Sequence, residues 1–162
     1  MTPLSTGASW SHPFNVFASD VPVKITLVWT DVPGSAGSTS PLVNDLDLVV
    51  TDANGDVWRG NQFVSGTSWS QVNPGATTDT ANNVENVFVQ TPATGGWTIE
   101  VVSADTQQNP PGVAGQDFAL VFSGDCGDCV PPAAPSSLTA TPNGDNRIDL
   151  SWSSVSGATE YH

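Results

Sequence analysis

Apolar and polar residues alternate with a period of two along much of this chain. Lys24-Ile25-Thr26-Leu27-Val28-Trp29 and Thr98-Ile99-Glu100-Val101 place every second side chain on one face, the pattern of a strand with one buried and one wet side. Such runs predict strands over 14–18, 23–29, 42–51, 56–59, 84–91, 97–103 and 117–123. Turn clusters separate them, among them Val32-Pro33-Gly34-Ser35, Asp52-Ala53-Asn54-Gly55 and Thr94-Gly95-Gly96, where Pro presets φ and Gly, Asn and Asp tolerate positive φ. Asn54-Gly55 is a strong hairpin signal. No helical period outlasts a turn. The expected fold class is all-β, an antiparallel β-sandwich or jelly roll, with Leu27, Trp29, Leu46, Leu48, Val87, Ile99, Val101, Leu120 and Phe122 inward.

The texture breaks after Gly124. Residues 125–135 are rich in Cys and Pro, and prolines this dense favour an extended spacer over a ladder. Two alternating stretches follow, Ser137-Leu138-Thr139-Ala140-Thr141 and Arg147-Ile148-Asp149-Leu150-Ser151-Trp152. The expected organisation is a sandwich over 1–124, a linker over 125–135, and an incomplete second module over 136–162, cut through where a third strand belongs.

Charge narrows the partners. Of 162 residues 3 are Lys or Arg and 16 are Asp or Glu, for a formal net charge of −13. A surface without a basic footprint is repelled by phosphate backbones and anionic lipid, so neither nucleic acid nor a membrane is expected as a partner. No apolar run approaches the ~20 residues of a membrane-spanning helix.

Three motifs carry a resemblance. Ile25-Thr26-Leu27-Val28-Trp29-Thr30-Asp31, Leu42-Val43-Asn44-Asp45-Leu46-Asp47-Leu48-Val49-Val50 and Asn82-Asn83-Val84-Glu85-Asn86-Val87 resemble, in the same order, the C-terminal β-barrel (jelly-roll, P-domain-like) domain of bacterial subtilisin-like serine proteases. Pro135-Ser136-Ser137-Leu138-Thr139-Ala140, Ile148-Asp149-Leu150-Ser151-Trp152 and Gly157-Ala158-Thr159-Glu160-Tyr161 are similar to the first strands of a fibronectin type III domain. The resemblance implies a secreted, extracellular bacterial protein, a monomer, whose subtilisin-like catalytic domain lies upstream. This chain is then a non-catalytic accessory domain that stabilises the enzyme or assists its maturation.

The residues themselves argue against catalysis here. A subtilase needs Asp, His and Ser held together beside an oxyanion donor, and the histidines are His12 and the terminal His162. Gly66-Thr67-Ser68 echoes a subtilase nucleophile, but Trp69 follows where the family has Met.

The carboxylates point to a metal. Calcium takes six to eight oxygens from carboxylates, amides and carbonyls on loops that bend around it. Asp45 and Asp47 are two apart on a strand and share a face; Asp31 ends the preceding strand; Asp79, Asn82, Asn83 and Glu85 surround the start of another. Facing carboxylates repel unless a cation or protons intervene, and Lys24 is the single lysine. Asp31, Asp45, Asp47, Asp79, Asn83 and Glu85 are therefore the candidate Ca²⁺ ligands, and Ca²⁺ is what the resemblance implies as well. A solvated acidic face is the plainer reading of the same residues. Asp52, Asp56, Asp125 and Asp128 read as turn and hinge acids.

Cys126 and Cys129 form Cys-Gly-Asp-Cys, a spacing shared by redox motifs, half zinc sites and small disulfide loops. The proline hinge and the secreted setting favour a disulfide. Six Trp keep open an alternative, a carbohydrate- or protein-substrate-binding module of a secreted hydrolase: Trp29, Trp97 and Trp152 read as core, whereas Trp10, Trp58 and Trp69 are candidate substrate-binding aromatics.

Overall fold

The computed structural model describes residues 3–34, 36–37, 42–108, 114–128, 136–143 and 147–153. The chain divides into two compact units, Met1–Asp128 and Cys129–His162. The first unit holds β1 (Ser9–Val16), β2 (Val23–Val28), β3 (Asn44–Thr51), β4 (Val57–Arg59), β5 (Val84–Val89), β6 (Gly95–Thr106), β7 (Ala119–Ser123) and β8 (Cys126–Gly127). They form a five-stranded sheet in the order β4-β3-β6-β1-β8 and a three-stranded sheet in the order β5-β2-β7. Every ladder is antiparallel. The architecture is the expected all-β sandwich, and the sheets do not close into a barrel. No helix among the described residues is long and apolar enough to cross a membrane.

The period of two explains which faces meet. On β2 Val23, Ile25 and Leu27 point inward while Lys24, Thr26 and Val28 face out. Leu46, Leu48 and Val50 of β3, Trp97, Ile99 and Val101 of β6, and Val87 and Val89 of β5 join them in one apolar cluster. Trp29 and Trp97 are buried as expected, each with its indole N–H bonded, to Asn44 O (3.0 Å) and Ala93 O (2.8 Å). Leu120 and Phe122 pack against this cluster and are partly buried. Asn54-Gly55 sits in the turn joining β3 to β4, with Gly55 at φ 85°.

Most strand boundaries differ from the sequence reading by one to three residues, β6 taking in Gly95 and Gly96 of the expected 94–96 turn, and two regions differ more. The first strand begins at Ser9 rather than Phe14 and pairs along its length with β6, from Ser9 opposite Val102 to Val16 opposite Gly95. Pro13 lies beyond the two residues, Asn15 and Val16, that pair with β8, so its missing N–H costs that second ladder nothing. The sheet also takes in Cys126 and Gly127 of the expected linker, which pair with β1, and the Phe17 N–H donates to Asp125 O at 2.8 Å. Residues 129–135 lie outside the described residues. In the second unit β9 (Thr139–Pro142) and β10 (Ile148–Ser151) form an antiparallel hairpin, with Leu138, Ile148 and Leu150 exposed.

Candidate metal centre

β5 carries Glu85 on the inward face it shares with Val87 and Val89, so strand periodicity alone drives a carboxylate into the interior, 1% exposed. Its Oε2 accepts a hydrogen bond from the Leu48 N–H of β3 at 2.6 Å, across the seam between the sheets. Gly60, just after β4, makes the room. A Cβ there would overlap the Glu85 carboxylate and lie 2.8 Å from the Glu85 Cβ. The segment is stitched in place by Gly60 N–H to Leu48 O and Asn61 N–H to Asn86 O, both 2.9 Å. Asn61, at φ 56°, accepts the Asn86 N–H on Oδ1 at 3.0 Å.

Asp45 and Asp47 approach the same seam from β3. The β3–β6 register shifts between Asp45 and Leu46, leaving Ala104 unopposed. Leu46 and Leu48 keep to the core, while Asp47 is only 8% exposed. Asp79 is positioned by Asn61 Nδ2 (2.6 Å), Asn82 Nδ2 (2.7 Å) and the Ala81 N–H (2.9 Å). Among the described residues Asp45 Oδ1, Asp47 Oδ1 and Glu85 Oε1 are buried without a hydrogen-bond partner.

The electrostatics follow. Burial, then the charges of Asp47, Asp79 and Asp45, push the Glu85 carboxyl up to about 8 against the pull of the Leu48 N–H. Burial first, then Asp47, Asp79, Asp105 and Asp31, push Asp45 up to about 6. Asp47 is raised by burial, which outweighs a hydrogen bond from Thr78 and the Arg59 charge. Burial also works upward on Asp79, but the hydrogen bonds from Asn61, Asn82 and Ala81 outweigh it and hold that carboxyl below its ordinary value. Hydrogen bonds thus favour the charged form of Asp79, whereas burial favours the neutral form of Asp45, Asp47 and Glu85 beside it.

Of the six candidate ligands the fold couples four: Asp45, Asp47, Asp79 and Glu85. Asp31 has other work, accepting the Val32 and Asn44 N–H groups (2.9 Å each) and the Val43 N–H (2.8 Å), which fixes the chain leading into β3. Asn83 prolongs the β2–β5 pairing, its Nδ2 donating to Trp29 O at 3.0 Å. Gly60, Asn61 and Thr78 were not read as parts of the site; the Gly-Asn pair directly after a strand is a local signal that could have marked the first two, and Thr78 carries none. The groups offer only oxygens, several of them orphaned, as a hard cation prefers, and the space over Gly60 is taken by the Glu85 carboxylate itself. As placed, no three Asp, Glu, His or Cys side chains among the described residues converge closely enough to share one ion, so carbonyl and water oxygens would complete any shell.

The remaining candidates separate. Trp10 stacks on His12 (5.6 Å, 1°) and meets Phe118 edge-on, packed against the core. Trp58 lies flat on Trp97 (5.3 Å, 5°) and is 6% exposed. Trp58 and Trp69 line one open groove of about 500 Å³ between the 52–56 turn, the 64–72 hairpin and residues 89–93. Asp52 and Asp56 behave as turn acids, Asp52 Oδ1 accepting the Asn54 and Asp56 N–H groups at 2.8 Å. Ser68 lies in an exposed bend, and His12 Nε2 bonds Asp128 at 2.8 Å. Cys126 has no disulfide partner among the described residues, and Cys129 lies outside them. Burial and the Asp125 charge raise the Cys126 thiol, the opposite of a reactive thiolate.

No family model matches the chain. It is 34% identical over 101 residues to the serine protease/ABC transporter B family protein tagA of Dictyostelium discoideum, covering 60% of this chain and 6% of that protein. It is 31% identical over 134 residues to tagD, of the same description and organism, covering 77% of this chain and 7% of that protein. The chain therefore corresponds to a small part of each relative, and it is distantly related to serine-protease-type proteins.

Proposed function

We propose that this chain is a non-catalytic accessory β-sandwich of a secreted subtilisin-like serine protease, stabilising the parent enzyme or assisting its maturation, and that Ca²⁺ held at the β3–β5 seam contributes that stability. The parent's catalytic domain lies upstream, and residues 136–162 begin a fibronectin type III module. Both relatives carry serine protease in their names, which supports the context. The observation that carries the calcium reading is the set of buried, partnerless oxygens on Asp45, Asp47 and Glu85 beside the anionic Asp79.

Glu85 and Asp47 would hold the ion from the two sheets, carbonyl and water oxygens would complete its shell, and Asp79 would add negative charge nearby without being a third carboxylate ligand. Calcium would supply positive charge to oxygens that have no donor. The protein's own residues do the positioning: Leu48 N–H orients Glu85, Asn61 orients Asp79, and Gly60 leaves room for the Glu85 carboxylate.

A ligand bound only by the native state adds RT ln(1 + [L]/Kd), about 4 kcal/mol at a thousandfold excess. At ~2–4 °C per kcal/mol, millimolar Ca²⁺ raises the melting temperature by roughly 8–16 °C over EDTA. Asp47→Ala and Glu85→Ala each remove most of that shift, and Asp56→Ala, in the β3–β4 turn, preserves it. Equal melting temperatures in Ca²⁺ and EDTA for the unmutated chain would refute the metal. The chain by itself hydrolyses no casein; activity that disappeared in Ser68→Ala would refute the accessory reading.

A further inference from the structure

Independently of the calcium site, we infer that the groove between the 52–56 turn and the 64–72 hairpin binds a neutral polysaccharide chain. Its volume of about 500 Å³ lies in the range of small-ligand sites, roughly 300–1,000 Å³. Trp69 stands half-buried in its wall, and among the described residues no aromatic ring packs on it. Trp58 forms part of the floor, one face spent on Trp97. Its indole N–H makes no hydrogen bond within the described residues and is not among the fully buried orphaned atoms. An aromatic face beside a free N–H is an amphipathic platform, apolar in body and polar at one edge, and matches a sugar ring with its C–H face and hydroxyl rim.

The polar lining fits the same ligand. Asn54, Gln71, Gln90 and Thr91 are exposed around the groove. Side-chain amides both donate and accept, as sugar hydroxyls do. No Lys or Arg lines the groove, whereas Asp52 and Asp56 do, and with a net charge of −13 an anionic polymer is repelled. Strand addition by a peptide is blocked at this edge, because the Ser70 N–H already donates to Phe88 O of β5 (2.8 Å) and Ser70 Oγ accepts the Phe88 N–H (2.9 Å). The wall is preorganised: Val64 N–H bonds Trp69 O (2.9 Å), Gln71 N–H bonds Gln62 O (2.8 Å), and Phe63 bridges to Ser70. A ligand then immobilises little further chain on binding.

The test is calorimetric titration of the full chain with cellohexaose, xylohexaose and chitohexaose, in Ca²⁺ and again in EDTA at a temperature where the chain is folded. Heparin and a lysine-rich decapeptide serve as charged comparators. Saturable binding of at least one neutral hexasaccharide is expected in both solutions. Trp69→Ala should weaken it at least about tenfold, the scale of one lost aromatic contact. Gln90→Ala, an exposed change that leaves packing alone, should weaken it several-fold, and Val121→Thr on β7 should leave it intact. No binding to any of the three sugars at millimolar concentration, affinity unchanged from the unmutated chain in Trp69→Ala and Gln90→Ala, or binding of the decapeptide or heparin alone would overturn the inference. None of the four seam carboxylates lines the groove, so failure of the calcium reading leaves this outcome readable.

Discussion

Two buried polar clusters hang on the same strand, β3, and they are built on opposite terms. At its start the fully buried Asn44 donates from Nδ2 to Gln108 O (2.6 Å) and Gln116 Oε1 (2.7 Å) and accepts the Gln108 N–H on Oδ1 (3.1 Å). The equally buried Gln116 donates to Thr30 O (3.2 Å) and Asp117 O (2.8 Å). Three residues along, Asp47 faces Asp45, Asp79 and Glu85 with oxygens left over. An amide carries both donors and acceptors, so amides satisfy one another; an ionised carboxylate only accepts. A cluster of carboxylates therefore needs something from outside, a proton or a cation, and an amide cluster needs nothing.

Exchanging the two chemistries gives the largest effect. Asn44→Asp removes both Nδ2 donors and sets a carboxylate against the acceptors Gln108 O and Gln116 Oε1. Loss of about 3–5 kcal/mol at neutral pH is expected for an uncompensated buried charge, read as a fall in melting temperature of roughly 10 °C or more. Calcium should not restore it; rescue by calcium would mean that the two ends of β3 are one site.

Filling the space over Gly60 comes next. Gly60→Ala puts a methyl into the Glu85 carboxylate, an overpacking expected to cost about 1–3 kcal/mol. In a Glu85→Ala background the same change should cost less, because the colliding carboxylate is gone. A full cost in both backgrounds would show that Gly60 serves the backbone and not Glu85.

A third test reads a slope with pH, small over any one pH unit. Glu85 is raised to about 8 and Asp45 to about 6 in the folded chain, and in the unfolded chain both return to the ordinary carboxylate range near 4. Between those limits the folded state binds more protons than the unfolded one, so in EDTA stability is greatest in mild acid and falls as pH rises from about 4 to about 8. The steepest slope is about 1.4 kcal/mol per pH unit for one group, and Asp45, being partly exposed, contributes less than Glu85. Glu85→Gln should flatten the fall above about pH 6. Calcium should oppose the fall, so the calcium shift grows with pH; a calcium shift that shrank toward pH 8 would place the ion elsewhere.

Much of the fold was legible because burial in a strand is local. Alternation in Val23 to Trp29 and Trp97 to Val101 named the inward face correctly, since side chains on a pleated strand take turns by geometry alone. The first strand was read short because Ser9, Ser11 and Pro13 look like a loop, although Trp10, His12, Phe14 and Val16 share one side; only the ladder with β6 shows it. The site was half legible. Composition showed an excess of acids over cations, which a solvated face or a metal could each accommodate, and the motifs drew attention to Asp45, Asp47, Asp79 and Glu85. Which of them meet is a question of tertiary register: Glu85 reaches Leu48 across the seam between the sheets, and Asn61 reaches Asp79 from one loop to another. Asp31 and Asn83, equally acidic or polar on paper, were diverted by backbone groups that happen to lie within reach, Val43 and Asn44 for one and Trp29 for the other. The chain by itself determined that carboxylates would outnumber their donors. Tertiary structure decided which would be satisfied by the backbone and which left without a donor, because a hydrogen bond needs a partner about 3 Å away and only folding brings residues distant in sequence that close.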